Sequence, residues 1–204
     1  MPVAGPRPSL AGVKIGFLGG SFDPVHFGHL CAAQDACEQQ QLDKLFLVPA
    51  AQAPLKNHQE QSSAEDRLAM LHAAVDMDRR FEISDFELRK GGVSYTIDSV
   101  RHFRARFPGD DLFWIIGGDQ LSQLHLWKDI RELVTLTDFI VLERPGLAIK
   151  AEIDVPGLRL HRCHGHLLEI SSTELRERAR QGLPLDYFMP HQTIAYLHKK
   201  NLYR

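Results

Sequence analysis

Cysteine, long apolar runs and an excess of charge of one sign are all scarce in this sequence of 204 residues. Its three cysteines, Cys31, Cys37 and Cys163, are too few and too scattered for a disulfide framework, which favours a reducing cytoplasm. No apolar run approaches the ~20 residues that a membrane span requires. The formal net charge of −2 argues against binding nucleic acid through a basic surface. We therefore expect a cytoplasmic protein without membrane or nucleic-acid partners; an oligomer is compatible with the sequence but is not predicted from it.

The remaining composition is that of an ordinary globular domain, with 44% hydrophobic and 25% charged residues. Residues 1–11 contain three prolines and lack the apolar centre of a secretory signal, so they are predicted to form a flexible tail. Residues 12–170 are predicted to form the main domain. Residues 171–204 are predicted to form a small C-terminal helical subdomain packed on the same core.

Apolar runs typical of buried strands alternate with segments typical of helices along the main domain. Strands are predicted at 13–18, 44–49, 81–84, 112–116, 139–142 and 158–160, and helices at about 25–37, 63–77 and 96–107. This alternation predicts the α/β class, with a Rossmann-like, doubly wound parallel sheet of five to six strands. Ligands of such sheets bind at the carboxyl ends of the strands, so the loops after strands one, two, four and five should line one cleft.

The turn after the first strand is the most informative stretch, and it reads Gly19-Gly20-Ser21-Phe22-Asp23-Pro24-Val25-His26-Phe27-Gly28-His29. A helix that begins near Val25 would point the imidazoles of His26 and His29 the same way. The free N–H groups and the dipole of its first turn would favour an anion. Two imidazole donors, a glycine gap and a helix N-terminus together predict a phosphate-binding site.

Two motifs resemble the signature of the nucleotidylyltransferase superfamily. The string G-G-S-F-D-P-x-H-x-G-H is similar to the segment whose H-x-G-H pair binds nucleotide phosphates in that superfamily. The string Ile170-Ser171-Ser172-Thr173-Glu174-Leu175-Arg176 resembles its I-S-S-T-x-x-R segment, which binds the ATP triphosphate. Ser171 and Glu174 also have the spacing of a helix capping box, and the two interpretations are compatible.

Four further loops resemble one family of that superfamily, the nicotinate-nucleotide adenylyltransferases. The loop after strand two has the family's P-x-x-x-x-P-x-K pattern ending at Lys56, although Leu55 stands where many members have histidine. The S-Y-T segment at 94–96 offers hydroxyls to cap the next helix or to hold a ligand carboxylate. The arrangement I-G-x-D…W-K-D begins at Ile116 and includes Trp127, and strand five ends in an R-P-G turn that contains Arg144.

The resemblance implies transfer of the adenylyl group of ATP to nicotinate mononucleotide, giving nicotinate adenine dinucleotide and pyrophosphate. Mg²⁺ carried by ATP is the implied cofactor, the two small molecules are the implied partners, and no protein-bound metal is implied. The implied catalytic groups are His26, His29, Lys56 and Arg176. The implied ATP contacts are Gly19, Gly20, Ser21, Phe22, His26, Gly28, His29, Gly117, Asp119, Ser171, Ser172, Thr173 and Arg176. The implied mononucleotide contacts are Ser21, Lys56, Thr96, Leu126, Trp127 and Arg144.

Other interpretations remain open at this point. A phosphopantetheine adenylyltransferase or a cytidylyltransferase would share the superfamily motifs, but the S-Y-T and W-K-D segments argue against both. A non-catalytic nucleotide-binding protein would not need H-x-G-H and I-S-S-T-x-x-R intact. The cluster His161-Arg162-Cys163-His164-Gly165-His166 suggests a metal site, yet strand alternation puts His161 and His164 on opposite faces. We predict an edge strand and an exposed loop there.

Overall fold

The structure is a computed structural model that describes residues 12–52, 62–76, 78–143, 154–166 and 168–204. The described residues form one six-stranded sheet in the order β3-β2-β1-β4-β5-β6, in which every neighbouring pair is parallel. The strands are β1 Lys14–Gly20, β2 Lys44–Pro49, β3 Phe81–Ile83, β4 Asp111–Gly117, β5 Asp138–Glu143 and β6 Leu160–His164. The strand order reverses between β1 and β4, as in Rossmann folds. The predicted fold class is confirmed.

Helices cover both faces of the sheet. They are α1 Phe27–Gln40, α2 Ala64–Val75, α3 Phe86–Lys90, α4 Thr96–Arg106, α5 Gly118–Leu121, α6 Ile130–Leu136, α7 Ser172–Arg180 and α8 His191–Lys200. One apolar cluster, on the α4 side, includes Phe17 and Phe103, whose rings stack with centroids 4.1 Å apart. A second cluster on the other side includes Leu47 and Met70. The central strands are therefore buried on both faces, which explains their uninterrupted apolar sequences.

Several predicted boundaries need correction. Helix α1 begins at Phe27 rather than near Val25, so His26 is its N-cap residue instead of lying in its first turn. Strand β6 covers Leu160–His164 rather than 158–160, and only Cys163 within it is buried. Helices α3, α5 and α6 lie in segments for which no element is predicted. Their lengths of five, four and seven residues give little helical periodicity to detect.

The C-terminal segment contains the two predicted helices, α7 and α8, joined by a shared apolar cluster. That cluster consists of Leu175, Leu185, Met189, Ile194 and Leu197. Helix α8 packs against α2, where the Tyr196 hydroxyl donates to Asp66 Oδ1 at 2.9 Å. Within the described ranges, no helix is long and apolar enough to cross a membrane. The division at 170/171 stays a prediction, and the predicted tail at 1–11 lies outside the described residues.

Candidate active site

The turn from β1 into α1 brings the two histidines together. The rings of His26 and His29 stack with centroids 3.7 Å apart and planes 28° apart, so both point the same way, as predicted. His26 is only 4% exposed, and its Nδ1 has no hydrogen-bond partner among the described residues. A buried ring nitrogen without a partner is costly unless a ligand satisfies it. The geometry therefore offers a binding atom at this turn.

The glycine between the histidines makes room for this stacking. A Cβ atom at Gly28 would lie 3.0 Å from His26 Nδ1 and 3.1 Å from its Cε1, closer than such atoms normally approach. On the other side, the ring of Phe22 meets His29 edge-on, with centroids 4.9 Å apart. Phe22 has a left-handed φ of 48°, which is rare for a bulky residue and occurs mainly at functional sites. Its side chain is fully buried, so only its backbone is available to a ligand.

The first turn of α1 offers fewer free donors than its sequence suggests. The Phe27 amide donates to the Phe188 carbonyl at 2.9 Å, and the His29 amide donates to the His26 carbonyl at 2.9 Å. A helix begins with four N–H groups that have no partner inside the helix. Two of those four already have partners here, so fewer N–H groups remain available to a ligand.

Burial lowers the pKa of His26 from its usual value of 6.5 to about 4, so the ring is neutral at neutral pH. As the pH falls, His26 therefore binds a proton at a higher pH in the unfolded chain than in the folded protein. The contribution of the neutral ring to the free energy of unfolding is complete above about pH 7 and is lost as the pH falls from 6.5 towards 4. This contribution is at most about 3 kcal/mol.

We expect the free energy of unfolding of the wild type to fall more steeply between pH 7 and 5 than that of His26→Gln, because glutamine does not titrate. Urea unfolding at several pH values measures both curves. The His26→Gln curve retains every other titrating group and serves as the control. Parallel curves for the two proteins would contradict a buried, neutral His26.

The I-S-S-T segment lies directly against this turn. Ser171 is the N-cap of α7 and accepts from the Glu174 amide at 3.2 Å, as its spacing predicts. The Ser172 hydroxyl donates to the Pro24 carbonyl at 2.9 Å, and Arg176 Nη1 donates to the Asp23 carbonyl at 2.8 Å. The two motifs predicted to grip one triphosphate are therefore neighbours, although they are almost 150 residues apart in the chain.

Asp23, which belongs to the first motif, lies beneath the turn together with two residues outside the motifs, Arg67 and Tyr203. Asp23 is 1% exposed and accepts from the Tyr203 hydroxyl at 2.6 Å. Arg67 is 3% exposed, and its Nη1 donates to the carbonyls of Ser21 and Ala50 at 2.9 and 2.7 Å. Arg67 could have been noticed from sequence, because it shares a helical stripe with apolar Met70. Tyr203 carries no such signal.

This buried group carries a surplus of positive charge. Arg176 Nη1 lies 3.9 Å from Asp23 Oδ2, and the carboxylate of Asp23 also acts electrostatically on Arg67. Two guanidinium groups thus share one carboxylate. Within the described ranges, one positive charge beneath the turn therefore has no carboxylate of its own, and it favours a polyanion above the turn, since low-dielectric surroundings screen it little.

Two hydrogen bonds connect the loop after β2 to the loop before α4. The Ala51 amide donates to Ser94 Oγ at 3.0 Å, and the Ser94 amide donates to the Gln52 carbonyl at 2.9 Å. Of the two roles open to the hydroxyls of Ser94 and Thr96, helix capping is not observed: the N-cap of α4 is Tyr95, and no side chain caps it. The hydroxyl of Ser94 is instead committed to this loop contact.

The W-K-D segment lies beside the S-Y-T segment. Lys128 Nζ lies 4.5 Å from the centroid of the Tyr95 ring. Trp127 is half-buried and meets Phe139 edge-on at 6.3 Å, while Leu126 is 72% exposed. At the end of β4, a Cβ atom on Gly117 would lie 2.5 Å from Asp119 Oδ1, so only glycine permits this carboxylate position.

The remaining predicted residues are placed as follows. Lys56 and Arg144 lie outside the described residues. Thr96 is the first residue of α4, and Thr173 accepts from Arg176 Nη2 at 3.3 Å. Gly19 and Gly20 end β1, where added Cβ atoms would lie 3.0 Å from Trp114 and 3.1 Å from Phe22.

The histidine-rich stretch forms the predicted edge strand and the loop after it. Its three histidines each face a different carboxylate: His161 faces Asp138, His164 faces Glu143 and His166 faces Asp35. Burial raises the pKa of the Cys163 thiol to about 11. Among the residues that the structure describes, no three metal-ligating side chains come together.

Comparisons with known proteins agree with this geometry. The model of a family described as cytidylyltransferase-like matches residues 17–178. A protein of Opitutus terrae, named probable nicotinate-nucleotide adenylyltransferase, is 70% identical over 94% of this chain and 98% of its own length. A protein of the same name from Shouchella clausii is 38% identical over 93% of this chain and 96% of its own length.

A solved structure shows the same fold. The Plasmodium falciparum nicotinic acid mononucleotide adenylyltransferase complexed with NaAD has a TM-score of 0.76 and 22% identity. The match covers 94% of this chain and 97% of that chain. Fold, family model and near relatives converge: the chain belongs to the cytidylyltransferase-like family and, within it, to the nicotinate-nucleotide adenylyltransferases.

Proposed function

We propose that this protein transfers the adenylyl group of ATP to nicotinate mononucleotide, releasing nicotinate adenine dinucleotide and pyrophosphate. The observation that carries the proposal is the contact between the His26 turn and the Ser172 helix start, which brings both phosphate motifs together beyond the carboxyl end of β1. The strand order reverses between β1 and β4, and ligands usually bind at this point in this architecture.

The reaction needs neither a protein nucleophile nor a general base. The attacking phosphate monoester has a second pKa of ~6, so it is already largely ionised at neutral pH. One of its oxygens forms a bond to the α-phosphorus of ATP, while the bond from that phosphorus to the bridging oxygen breaks and pyrophosphate leaves. The protein must align two polyanions and stabilise the charge that moves onto the leaving group.

The residues of the His26 turn suit that task. The imidazoles of His26 and His29 supply hydrogen-bond donors, and the guanidinium groups of Arg67 and Arg176, which share Asp23, supply a positive background. Mg²⁺ enters with ATP as part of the substrate, in keeping with its preference for phosphate oxygens. Lys56 and Arg144 are further phosphate ligands in this proposal, on the strength of their motifs.

The acceptor binds at the S-Y-T and W-K-D segments in this proposal. The nicotinate carboxylate lies near Thr96, at the N-terminus of α4, and beside Leu126 and Trp127, whose own amides already donate to the Gln123 and Leu124 carbonyls at 3.0 Å. The indole face of Trp127 stacks on the pyridinium. The contact between Lys128 and Tyr95 supports this placement, because it joins the two segments. The protein acts in the cytoplasm, on the basis of its three free cysteines.

We expect at least a tenfold preference in kcat/KM for nicotinate over nicotinamide mononucleotide. A site of N–H donors without an acceptor leaves the carboxamide NH₂ unpaired, which costs ~1–3 kcal/mol. Steady-state kinetics with each mononucleotide at fixed ATP measures the ratio. Equal kcat/KM values would contradict the proposed donors.

Pyrophosphate release with ATP and a panel of acceptors tests the function itself. The panel contains nicotinate mononucleotide, nicotinamide mononucleotide and phosphopantetheine, and a parallel reaction replaces ATP with CTP. Release with ATP and nicotinate mononucleotide is the expected result. Release only with phosphopantetheine or CTP would reassign the substrate, and no release with any pair would favour a non-catalytic nucleotide-binding protein.

A further inference from the structure

The C-terminal end of the chain reaches the underside of the proposed phosphate site. Five residues of the segment 170–204 lie against residues 23–28: Ile170, Ser172, Arg176, Phe188 and Tyr203. Four of them make hydrogen bonds to this turn. Three bonds go to the backbone, whereas the Tyr203 hydroxyl bonds to the side chain of Asp23.

Tyr203 is held firmly in this position. Its backbone has a left-handed φ of 64°. Its ring packs against two apolar clusters: the one around Leu47 and Met70, here called the α2-side cluster, and the C-terminal cluster around Leu175. The Leu202 amide donates to the Leu197 carbonyl at 3.1 Å, which folds the last residues back on α8. Burial and the nearby Asp23 carboxylate raise the pKa of the Tyr203 hydroxyl, so it remains a donor at neutral pH.

Asp23 connects the Tyr203 hydrogen bond to the turn that carries the two histidines. Its Oδ1 atom accepts from Tyr203 at 2.6 Å and from the Ser62 amide at 3.2 Å. Its carbonyl accepts from Arg176, and it is only three residues before His26. The C-terminal segment therefore holds both the side chain and the backbone of Asp23, three residues before the first of the two stacked imidazoles.

We propose that Tyr203 is a positioning residue for adenylyl transfer: its hydroxyl fixes Asp23 and thereby the alignment of His26 and His29. The inference rests on the proposed function, since alignment of the imidazoles matters only if they act on a phosphate. Tyr203 itself touches no substrate in this account. Its contribution should appear in kcat, because alignment at the reacting phosphorus is needed most in the transition state.

The chain offers a matched control in Tyr196. Its hydroxyl also donates to an aspartate of the main domain, Asp66 Oδ1, at 2.9 Å, and its ring packs on the same α2-side cluster. Asp66 belongs to the first turn of α2 rather than to the His26 turn. Tyr203→Phe and Tyr196→Phe therefore remove the same kind of hydrogen bond, but only the first removes a contact to the proposed site.

The experiment compares wild type, Tyr203→Phe and Tyr196→Phe with ATP and nicotinate mononucleotide. We expect Tyr203→Phe to lower kcat about tenfold with the KM for nicotinate mononucleotide within about twofold, and Tyr196→Phe to change neither value by more than about twofold. Wild-type kinetics for Tyr203→Phe, or equal losses in both variants, would overturn the proposal.

A second measurement separates this inference from the proposed function. Histidine ring signals in NMR spectra of the ligand-free proteins should shift for His26 and His29 in Tyr203→Phe and stay in place in Tyr196→Phe. If the wild type releases no pyrophosphate with any acceptor, the proposed function fails and these spectra still decide whether Tyr203 positions the histidines. Unchanged His26 and His29 signals in Tyr203→Phe overturn the inference even in an active enzyme.

Discussion

Replacing His26 by alanine is expected to lower kcat by ~10²–10³, the scale of losing one preorganised donor. The ring is buried, stacks on His29 and presents an Nδ1 atom without a partner among the described residues. In the proposed reaction that atom meets the triphosphate. A similar loss is expected for His29→Ala, because the two rings act as one unit, so the double variant should lose little more than either single variant.

His102→Ala is the matched control for this prediction. His102 also stacks on an aromatic ring, that of Phe86 at 4.0 Å, and burial also lowers its pKa. It lies on α4, away from the β1–α1 turn. The kcat of His102→Ala should stay within about twofold of wild type, since the His102 ring packs on Phe86 and Phe103, which are not residues of the proposed site. Near-normal kcat in His26→Ala and His29→Ala would remove both histidines from the mechanism.

The parts of the fold that were predictable from sequence are those whose signal is local. Strands β1, β2 and β4 are continuous apolar runs because they are buried on both faces. Strand β6 is an edge strand with a single buried residue, Cys163, so its sequence shows no apolar run and predicts a strand at 158–160 instead of Leu160–His164. Helix α6 does carry the i, i+3, i+4 pattern in Ile130, Leu133 and Val134, but extends over only two turns.

The candidate site divides in the same way. His26, His29, Ser172 and Arg176 belong to short motifs that can be recognised in the sequence. Tyr203 is 180 residues from Asp23, and no pattern along the chain reports a hydrogen bond over that separation. The same holds for the Ser94 hydroxyl: locally it is a typical cap, but the Ala51 amide from a neighbouring loop takes it. In both cases the hydrogen-bond partner is distant in the sequence and becomes a neighbour only in the folded protein.

Asp23→Asn should produce the largest loss of stability, about 3 kcal/mol in the free energy of unfolding. Asparagine keeps the size of the side chain and an oxygen for Tyr203 and the Ser62 amide, so packing and these hydrogen bonds are conserved. The negative charge is lost, however, and two largely buried guanidinium groups, those of Arg67 and Arg176, lose the carboxylate that they share among the described residues. For a chain of this length, a loss of that size lowers Tm by roughly 6–12 °C.

Thermal and urea unfolding of Asp23→Asn and Asp66→Asn measure this effect against its control. Asp66 is half-buried and accepts a tyrosine hydroxyl in the same way, but it lies at the solvent-accessible start of α2, where its charge is screened. We expect Asp66→Asn to cost about 1 kcal/mol or less. Equal losses in the two variants would contradict a special role for the buried charge, because both variants keep an oxygen that accepts the tyrosine hydroxyl. A loss confined to Asp23→Asn would identify its carboxylate as the group that allows two arginines to lie beneath a phosphate site.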